Sequence, residues 1–397
     1  MSRKVFADER SRSIAEAWIR DGAMGPPRQW PRMSFQEALA LEPLPADAQD
    51  RSVKRFISRQ PAWKPGAELP WDSLFRGLDG PVPRHSGPGV YGGHVYAQAP
   101  LAAARAVEQE EAELGAKAGL SGRLGIHTIQ GVFTSPGLKD RPFIYDVSPI
   151  STGRSFTARL VNARQPREPS EKPSGPYPAS DARRPLNGIA FSCITTFKRS
   201  RSTPNDVQES LSAQERYAEI LASRAPDEWD ASPQQDIDLV NELFPNAGPG
   251  AFPILDMRKV DMAAHNADKP VAERRQLIYY RLLAPLPSDD VNGHIVCHAF
   301  EADRNGIIML GNHLGYGFNL GKAASLAYSF YVHVNPEEAV MDGRGWWLQE
   351  LCWPRVSAGR CMMESKIWSP EGKHVASGYQ DGIILPAAQE QEVASKL

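Results

Sequence analysis

Cysteine is scarce in this chain: four in 397 residues, Cys193, Cys297, Cys352 and Cys361, with no C-x-x-C spacing. So few thiols exclude a disulfide scaffold and fit a reducing compartment. Long apolar runs are also missing. No stretch reaches the roughly 18 apolar residues that a membrane-spanning helix needs, so no membrane span is expected. The opening MSRKVFADERSRSIAEAWIRDG lacks the apolar centre of a secretion signal. Neither sign of charge dominates: 45 Lys and Arg face 47 Asp and Glu, a formal net charge of −2. That balance argues against a general binder of nucleic acid or anionic membranes, and the short basic run Lys198-Arg199-Ser200-Arg201 reads as solvated surface.

Several catalytic signatures are absent as well. Without a G-x-S-x-G elbow an α/β-hydrolase serine is not supported. His294 and His298 flank Cys297, but the glutamate of H-E-x-x-H and a third ligand at metal spacing are lacking. They read as polar residues of an ordinary helix, with no metal. Gly87-Pro88-Gly89-Val90-Tyr91-Gly92 matches G-x-G-x-x-G literally, yet the upstream GPVPRHS cannot be the apolar central strand a dinucleotide site requires. A turn into a helix is the better reading. Gly92 and Gly93 would let ligand or backbone approach that helix N-terminus, where free N–H groups favour an anion or a carbonyl oxygen. No cofactor is called for.

What is present describes an ordinary globular chain, 41% hydrophobic and 23% charged, and its length favours two domains. Residues 1–70 are charged and proline-dotted, with a helical pattern in FQEALALEPL. DSLFRGLD is strand-like, and GGHVYAQAPLAAARAVEQEEAELGAKA predicts a long helix. Four strand candidates follow: RLGIHTIQGVFTS, RPFIYDVSPIS, RSFTARLVNARQ and GIAFSCITTFKRS. Residues 166–187, rich in Pro, Ser and charge, read as a disordered insertion between strands. A polar, partly helical linker covers about 201–235.

The second half repeats the layout. HIVCHAFEADRNGIIMLG predicts a helix, followed by strands in AASLAYSFYVHV, GWWLQELCWPRVS, GRCMMESKIWS and HVASGYQDGIIL. Ser151-Thr152-Gly153-Arg154 echoes Ser357-Ala358-Gly359-Arg360, each in a turn between strands where glycine would supply a positive φ. A helix followed by an antiparallel sheet, twice over, is an α+β arrangement in which each sheet wraps its helix. Within the last strand, Gln380 stands with Tyr379 and Asp381 on the opposite face. An inward amide there costs about 1–3 kcal/mol unless it is partnered, so it needs a carboxylate, a hydroxyl or a water.

Taken together, these residues resemble the acyl-CoA thioesterase II family, the double-hotdog thioesterases. VYGGHVYAQAPLAAA resembles the family's helix-entry motif and RPFIYDVSPISTGRSFTARLVNARQ its next strand pair. AASLAYSFYVH and HVASGYQDGIIL occupy the places of S-L-D-H-x-x-W-F-H and V-A-S-x-x-Q-E-G. The likeness spans about residues 72–386, apart from the insertion and the linker. The sequence departs from it at Ala327-Tyr328, where the family has Asp-His, at Asp381, where it has Glu, and at Pro100 inside the first helix, which predicts a kink.

The resemblance implies a double hotdog with two antiparallel sheets, each wrapped around a long helix. It divides the chain into an N-terminal extension (1–34), a first hotdog domain (35–200), the linker (201–235), a second hotdog domain (236–388) and a tail (389–397). It implies a water-activating triad of Asp303, Ser325 and Gln380, hence an acyl-CoA hydrolase acting on an acyl-CoA substrate without cofactor or metal. Two rival readings belong to the same fold. One is a hotdog enoyl-CoA hydratase, suggested by Asp303-Arg304-Asn305, although Gly306 and Ile308 replace the Pro and His of its signature. The other is a non-catalytic acyl-CoA binding protein. The terminal Ser395-Lys396-Leu397 is an address read by the peroxisomal import receptor, so a peroxisomal location is expected. Two hotdog units form a pseudo-dimer, and pairing into a homo-oligomer through sheet edges is a further expectation.

Overall fold

The computed structural model describes residues 30–45, 50–69, 89–114, 123–243 and 247–386. The strand expected over 72–79, the first 29 residues and the Ser395-Lys396-Leu397 tail lie outside them.

A buried helix needs apolar residues all round, and the Ala-rich run after Tyr91 supplies them. Helix α1 (Gly92–Leu114) has Tyr96, Ala97, Ala99 and Ala102–Ala104 at 0% exposure. It runs as one element through Pro100. Around it lie β1 (Leu41–Leu44), β2 (Lys54–Ser58), β3 (Leu124–Phe133), β4 (Ile144–Thr152), β5 (Phe156–Arg164) and β6 (Phe191–Arg199). In the second half, helix α2 (Val291–Ala302) and the short α3 (Gly306–His313) face seven more strands. These are β7 (Asp230–Ala231), β8 (Leu255–Lys259), β9 (Gln276–Leu282), β10 (Leu320–Val332), β11 (Trp347–Ser357), β12 (Arg360–Trp368) and β13 (His374–Pro386).

The strands of the two halves join into one antiparallel sheet in the order β1-β2-β4-β5-β6-β3-β10-β13-β12-β11-β9-β8-β7. The junction is the β3–β10 pair, running from Thr128 opposite Tyr331 to Val132 opposite Ala327. Joining there satisfies two edges that would otherwise expose unpaired backbone. α1 packs against α2, and one hydrophobic core spans both halves. The expected double hotdog is therefore present, its two sheets continuous through the centre.

Some local expectations are corrected. FQEALALEPL is not one helix: a capping box at Ser34 starts a single turn (Phe35–Ala38), after which the chain extends into β1, because Pro43 cannot supply a helical N–H. Residues 166–187, expected to be disordered, are ordered. Tyr177 and Asp181 are buried, the Tyr177 amide donates to the Arg59 carbonyl at 2.8 Å, and the Ser170 amide donates to the Asp140 carbonyl at 2.9 Å. Composition understated the segment because one buried aromatic and backbone bonds to neighbouring loops suffice to hold it. Of the two echoed turns, only the second uses a left-handed glycine, Gly359 at φ +71°, next to Ala358 at φ +54°. The partly helical segment after residue 200 is anchored by Tyr217 and Trp229 in a second, smaller apolar cluster.

Candidate functional site

The helix expected to run through HIVCHAFEADRNGIIMLG is broken. α2 ends at Ala302, Asp303 is its C-cap, and Asn305 adopts a left-handed φ of +58° before α3 begins. Asparagine tolerates that conformation and the following Gly306 adds no obstruction: a side chain there would run into Met363. Other groups pin the break. Arg304 donates to the Pro233 and Gln234 carbonyls, Asn305 to Pro233, and the Trp353 indole to the Gly306 carbonyl at 3.0 Å. An uninterrupted helix would have enclosed Asp303 in its ladder; the break turns its carboxyl toward the sheet and α1.

Two strands meet it there. Ser325 lies in β10 beside a one-residue bulge: it pairs with Gly382, while Ala327 pairs with Asp381. Tyr328 and Phe330 point into the core, and strict alternation back from them would send Ser325 outward. The extra residue, Leu326, restores Ser325 to the inner face. Gln380 needs no such device, since β13 alternates regularly and buries Gln380 at 1% exposure while Tyr379 is 43% exposed. The Ser325 hydroxyl donates to Asp303 Oδ1 at 3.0 Å. The Gln380 amide donates to the same oxygen and to Ser325 Oγ, the latter at 2.7 Å. Its Oε1 has no hydrogen-bond partner among the described residues.

The fourth wall is the N-terminus of α1, whose backbone amide at Gly93 also donates to the Asp303 carboxylate. The residue preceding α1 is Tyr91, which cannot cap it. Instead Tyr91 bonds the Phe300 carbonyl and packs edge-on against Phe300, Phe252 and Trp63, fastening the start of α1 to the end of α2. Asp303 thus acts as the capping anion from another element. Gly92 is required by space: a Cβ there would stand 3.0 Å from Asp303 Oδ2 and 3.3 Å from Phe133. Burial pushes the Asp303 carboxyl up to about 6, against the opposing pull of the Ser325, Gln380 and Gly93 hydrogen bonds and the Arg304 charge. At neutral pH such a group is mostly ionised yet basic enough to accept a proton. Gly92, Phe133 and Ser325 are partly exposed and form the open side.

The first half contains the matching positions without the chemistry. GGHVYAQA (92–99) and NGHIVCHA (292–299) open the two helices alike, a repeat that sequence reading passed over. Carrying that alignment forward places Ala103 where the second half has Asp303, and the residue just before the bulge of β3, where β10 has Ser325, is the buried Ile126. Thr195, buried and opposite Ile129 one step beyond the bulge of β3, stands for Gln380, opposite Tyr328 one step beyond the bulge of β10. The N-terminus of α2 is closed by its own cap: Asp290 accepts from the Gly293 amide at 3.0 Å and is held by Arg105 at 2.6 Å. Asn292 fills the place of Gly92 and binds the Ile126 amide at 2.9 Å. His298 pairs with the Tyr280 hydroxyl at 2.7 Å and the Ala339 carbonyl at 2.8 Å, while His294 accepts from the Met341 amide. Both histidines are structural partners within the core.

Comparison with known proteins identifies the family and the fold. Residues 81–173 match the acyl-CoA thioesterase N-terminal domain and residues 238–384 the acyl-CoA thioesterase C-terminal domain; together these stretches make up more than half of the chain. The mouse protein acyl-coenzyme A thioesterase 8 is 22% identical over 328 residues, covering 81% of this chain and 87% of its own. The acyl-CoA thioesterase II TesB2 of Mycobacterium marinum superposes with a TM-score of 0.53 at 18% identity, covering 89% of this chain and 98% of that one. The tesB protein of Mycobacterium avium subs paratuberculosis superposes with a TM-score of 0.54 at 17% identity, with the same coverage. At these identities the structural likeness speaks for the fold.

Proposed function

The chain belongs to the acyl-CoA thioesterase II family and is a thioester hydrolase, and on that premise we propose that Asp303, Ser325 and Gln380 activate the water that cleaves its acyl-CoA substrate. The observation that carries this reading is the convergence of Ser325, Gln380 and the Gly93 amide on one buried carboxylate whose pKa is raised to about 6. A thioester carbonyl is already electrophilic, so hydrolysis asks mainly for a positioned water, a proton acceptor and donors for the oxyanion. Asp303 takes the proton of the water, directly or through Ser325. Gln380 spends its N–H groups on Asp303 and Ser325, which leaves Oε1 free to orient that water. The first turn of α1, with Gly92 keeping the approach open, supplies backbone amides and the positive end of a helix dipole for the developing oxyanion. The water adds to the carbonyl carbon, the C–S bond breaks, and CoA leaves as the thiol after receiving the proton.

Two further elements belong to the proposal. The chain divides into two hotdog domains, of which the second carries all three side chains of the site. Its destination is the peroxisome, on the strength of Ser395-Lys396-Leu397, where acyl-CoA hydrolysis would serve fatty-acid or specialised-metabolite chemistry by releasing CoA. Free-thiol release from a panel of acyl-CoAs, short to long and saturated to unsaturated, by wild type and Gln380→Ala tests the chemistry. Release by wild type that falls at least a hundredfold in the variant is expected; equal rates would remove Gln380 from the mechanism. A fluorescent fusion placed ahead of an intact or deleted Ser-Lys-Leu tests the destination, and peroxisomal signal that survives the deletion would overturn the assignment to this tripeptide.

A further inference from the structure

Beyond Gln380, the inner face of the second half carries a strip of hydrogen-bonding groups that the mechanism above does not use. Glu301, in the last turn of α2, is 0% exposed, and neither carboxyl oxygen has a hydrogen-bond partner among the described residues. Gln349, from β11, is also 0% exposed; its amide nitrogen donates to Ser365 Oγ at 3.1 Å and toward the Ala302 carbonyl, and its Oε1 has no partner among the described residues. Tyr328 connects this corner to the site. It pairs in register with Gln380, its hydroxyl stands 2.5 Å from where a Cβ on Gly378 would be, and that hydroxyl has no hydrogen-bond partner among the described residues. Glu301 lies within electrostatic reach of both Tyr328 and Tyr280.

An unpartnered buried carboxyl, and an unpartnered amide oxygen on a side chain that reaches the Ala302 carbonyl next to it, are a standing cost to the fold, and a structural core would be better served by Leu at both positions. Burial raises the Glu301 carboxyl well above its ordinary range, so the group it offers is a neutral acid, one donor and one acceptor. Gln349 offers an acceptor. The complementary ligand group must donate and accept at once and carry no charge. A hydroxyl meets this; a ketone cannot donate, and an ammonium would demand an ionised Glu301 in a place shut off from water.

We propose that Glu301 and Gln349 are specificity-determining residues that bind a hydroxyl on the acyl chain, making the preferred substrate a hydroxyacyl-CoA. The inference deepens the thioesterase reading and rests on it for the placement of the thioester beside Asp303. With the carbonyl there, the acyl chain must enter between α2 and the sheet, past Tyr328, to bring its hydroxyl to Glu301 and Gln349. A site built to bond a hydroxyl discriminates strongly against the ligand that lacks it, because its own polar groups are then left unpaired.

Binding rather than turnover separates this claim from the hydrolase reading. Non-hydrolysable thioether analogues of acyl-CoA, matched in length and carrying a hydroxyl at successive positions or none, are titrated calorimetrically into the full chain. For wild type, one hydroxylated analogue should bind at least tenfold more tightly than its plain counterpart. Glu301→Leu and Gln349→Leu should each bring that ratio toward one, while Glu301→Gln, which keeps a donor and an acceptor, should retain part of it. Equal affinities across the wild-type series, or a preference untouched by Gln349→Leu, would overturn the proposal; the Gln349 variant also carries the test if Glu301→Leu does not fold. A hydroxyl preference in binding without thiol release from the matching thioesters would count against the hydrolase reading and leave this one standing.

Discussion

Replacing Asp303 by Asn should make the protein more stable and inactive together, and the size of the gain follows from the site. The carboxyl titrates near 6 in the fold against an ordinary 3.8. Holding it ionised therefore costs the folded state on the order of 3 kcal/mol above pH 6, at 1.36 kcal/mol per pKa unit. The sign is that of a raised acid: the folded protein binds the proton more tightly than the unfolded chain, so the cost is absent below the unfolded value, grows between about 4 and 6, and is constant above. Asn removes that charge but offers one acceptor oxygen where the carboxylate has two, so one of the donors from Ser325, Gln380 and Gly93 loses its bond, at about 1 kcal/mol. A net gain of roughly 2 kcal/mol at pH 7.5 remains. Urea unfolding of both proteins from pH 4 to 8 measures it: with a slope of about 2–3 kcal/mol per molar, the midpoint should rise by roughly 0.7–1 M at pH 7.5 and by little at pH 4. Thiol release by the variant should fall about 10²–10⁴-fold, the usual worth of a positioned general base. A variant less stable than wild type at pH 7.5, or a gap of equal size at pH 4, would refute the account of Asp303 as a desolvated carboxylate.

Other outcomes are as definite. Wild-type kcat/KM should rise with pH along an acid limb centred near 6, because the ionised Asp303 is the competent form. In Ser325→Ala, which loses a hydrogen bond that favours the carboxylate, that limb should move to higher pH; a limb that stays in place would detach it from Asp303. Gly92→Ala puts a methyl about 3 Å from Asp303 Oδ2 and should cut kcat/KM at least tenfold with little change in stability, checked by thiol release and thermal unfolding in parallel. Tyr177→Ala should cost about 3–5 kcal/mol in urea unfolding, the usual penalty for emptying a buried aromatic site; a change under 1 kcal/mol would mean that the 166–187 segment does not need its anchor.

How much of the site could be read beforehand differs from residue to residue. Gln380 announces itself, since a regular period-two strand leaves no doubt which face it occupies, and its partners in space are the carboxylate and hydroxyl that such an amide requires. Ser325 does not: its inward orientation depends on a bulge at Leu326 that no periodicity reveals, and only the family motif singled it out. Asp303 is harder still, because an apolar run from His294 to Gly311 looks like one helix, and the break that frees the carboxyl comes from Asn305 in a left-handed turn and from backbone bonds to residues some 70 positions earlier. The 166–187 segment is a plain miss, as composition weighs prolines and charges but cannot see Tyr177 filling a buried site.

Local chemistry, then, was determined by the sequence alone: the strands by their β-branched alternation, α1 by its alanines, the two-fold layout by repetition, and the family by four motifs in order. These are properties of neighbouring residues, and neighbouring residues carry them. The joining of two sheets through β3 and β10, the meeting of the α1 N-terminus with a carboxylate two hundred residues away, and the decision that only one of two similar helix ends became a site were left to the tertiary structure. Each depends on what stands opposite in space. The N-terminus of α2 has its own anion in Asp290, which accepts from the Gly293 amide, while that of α1, preceded by Tyr91, must find its anion elsewhere, and it finds Asp303.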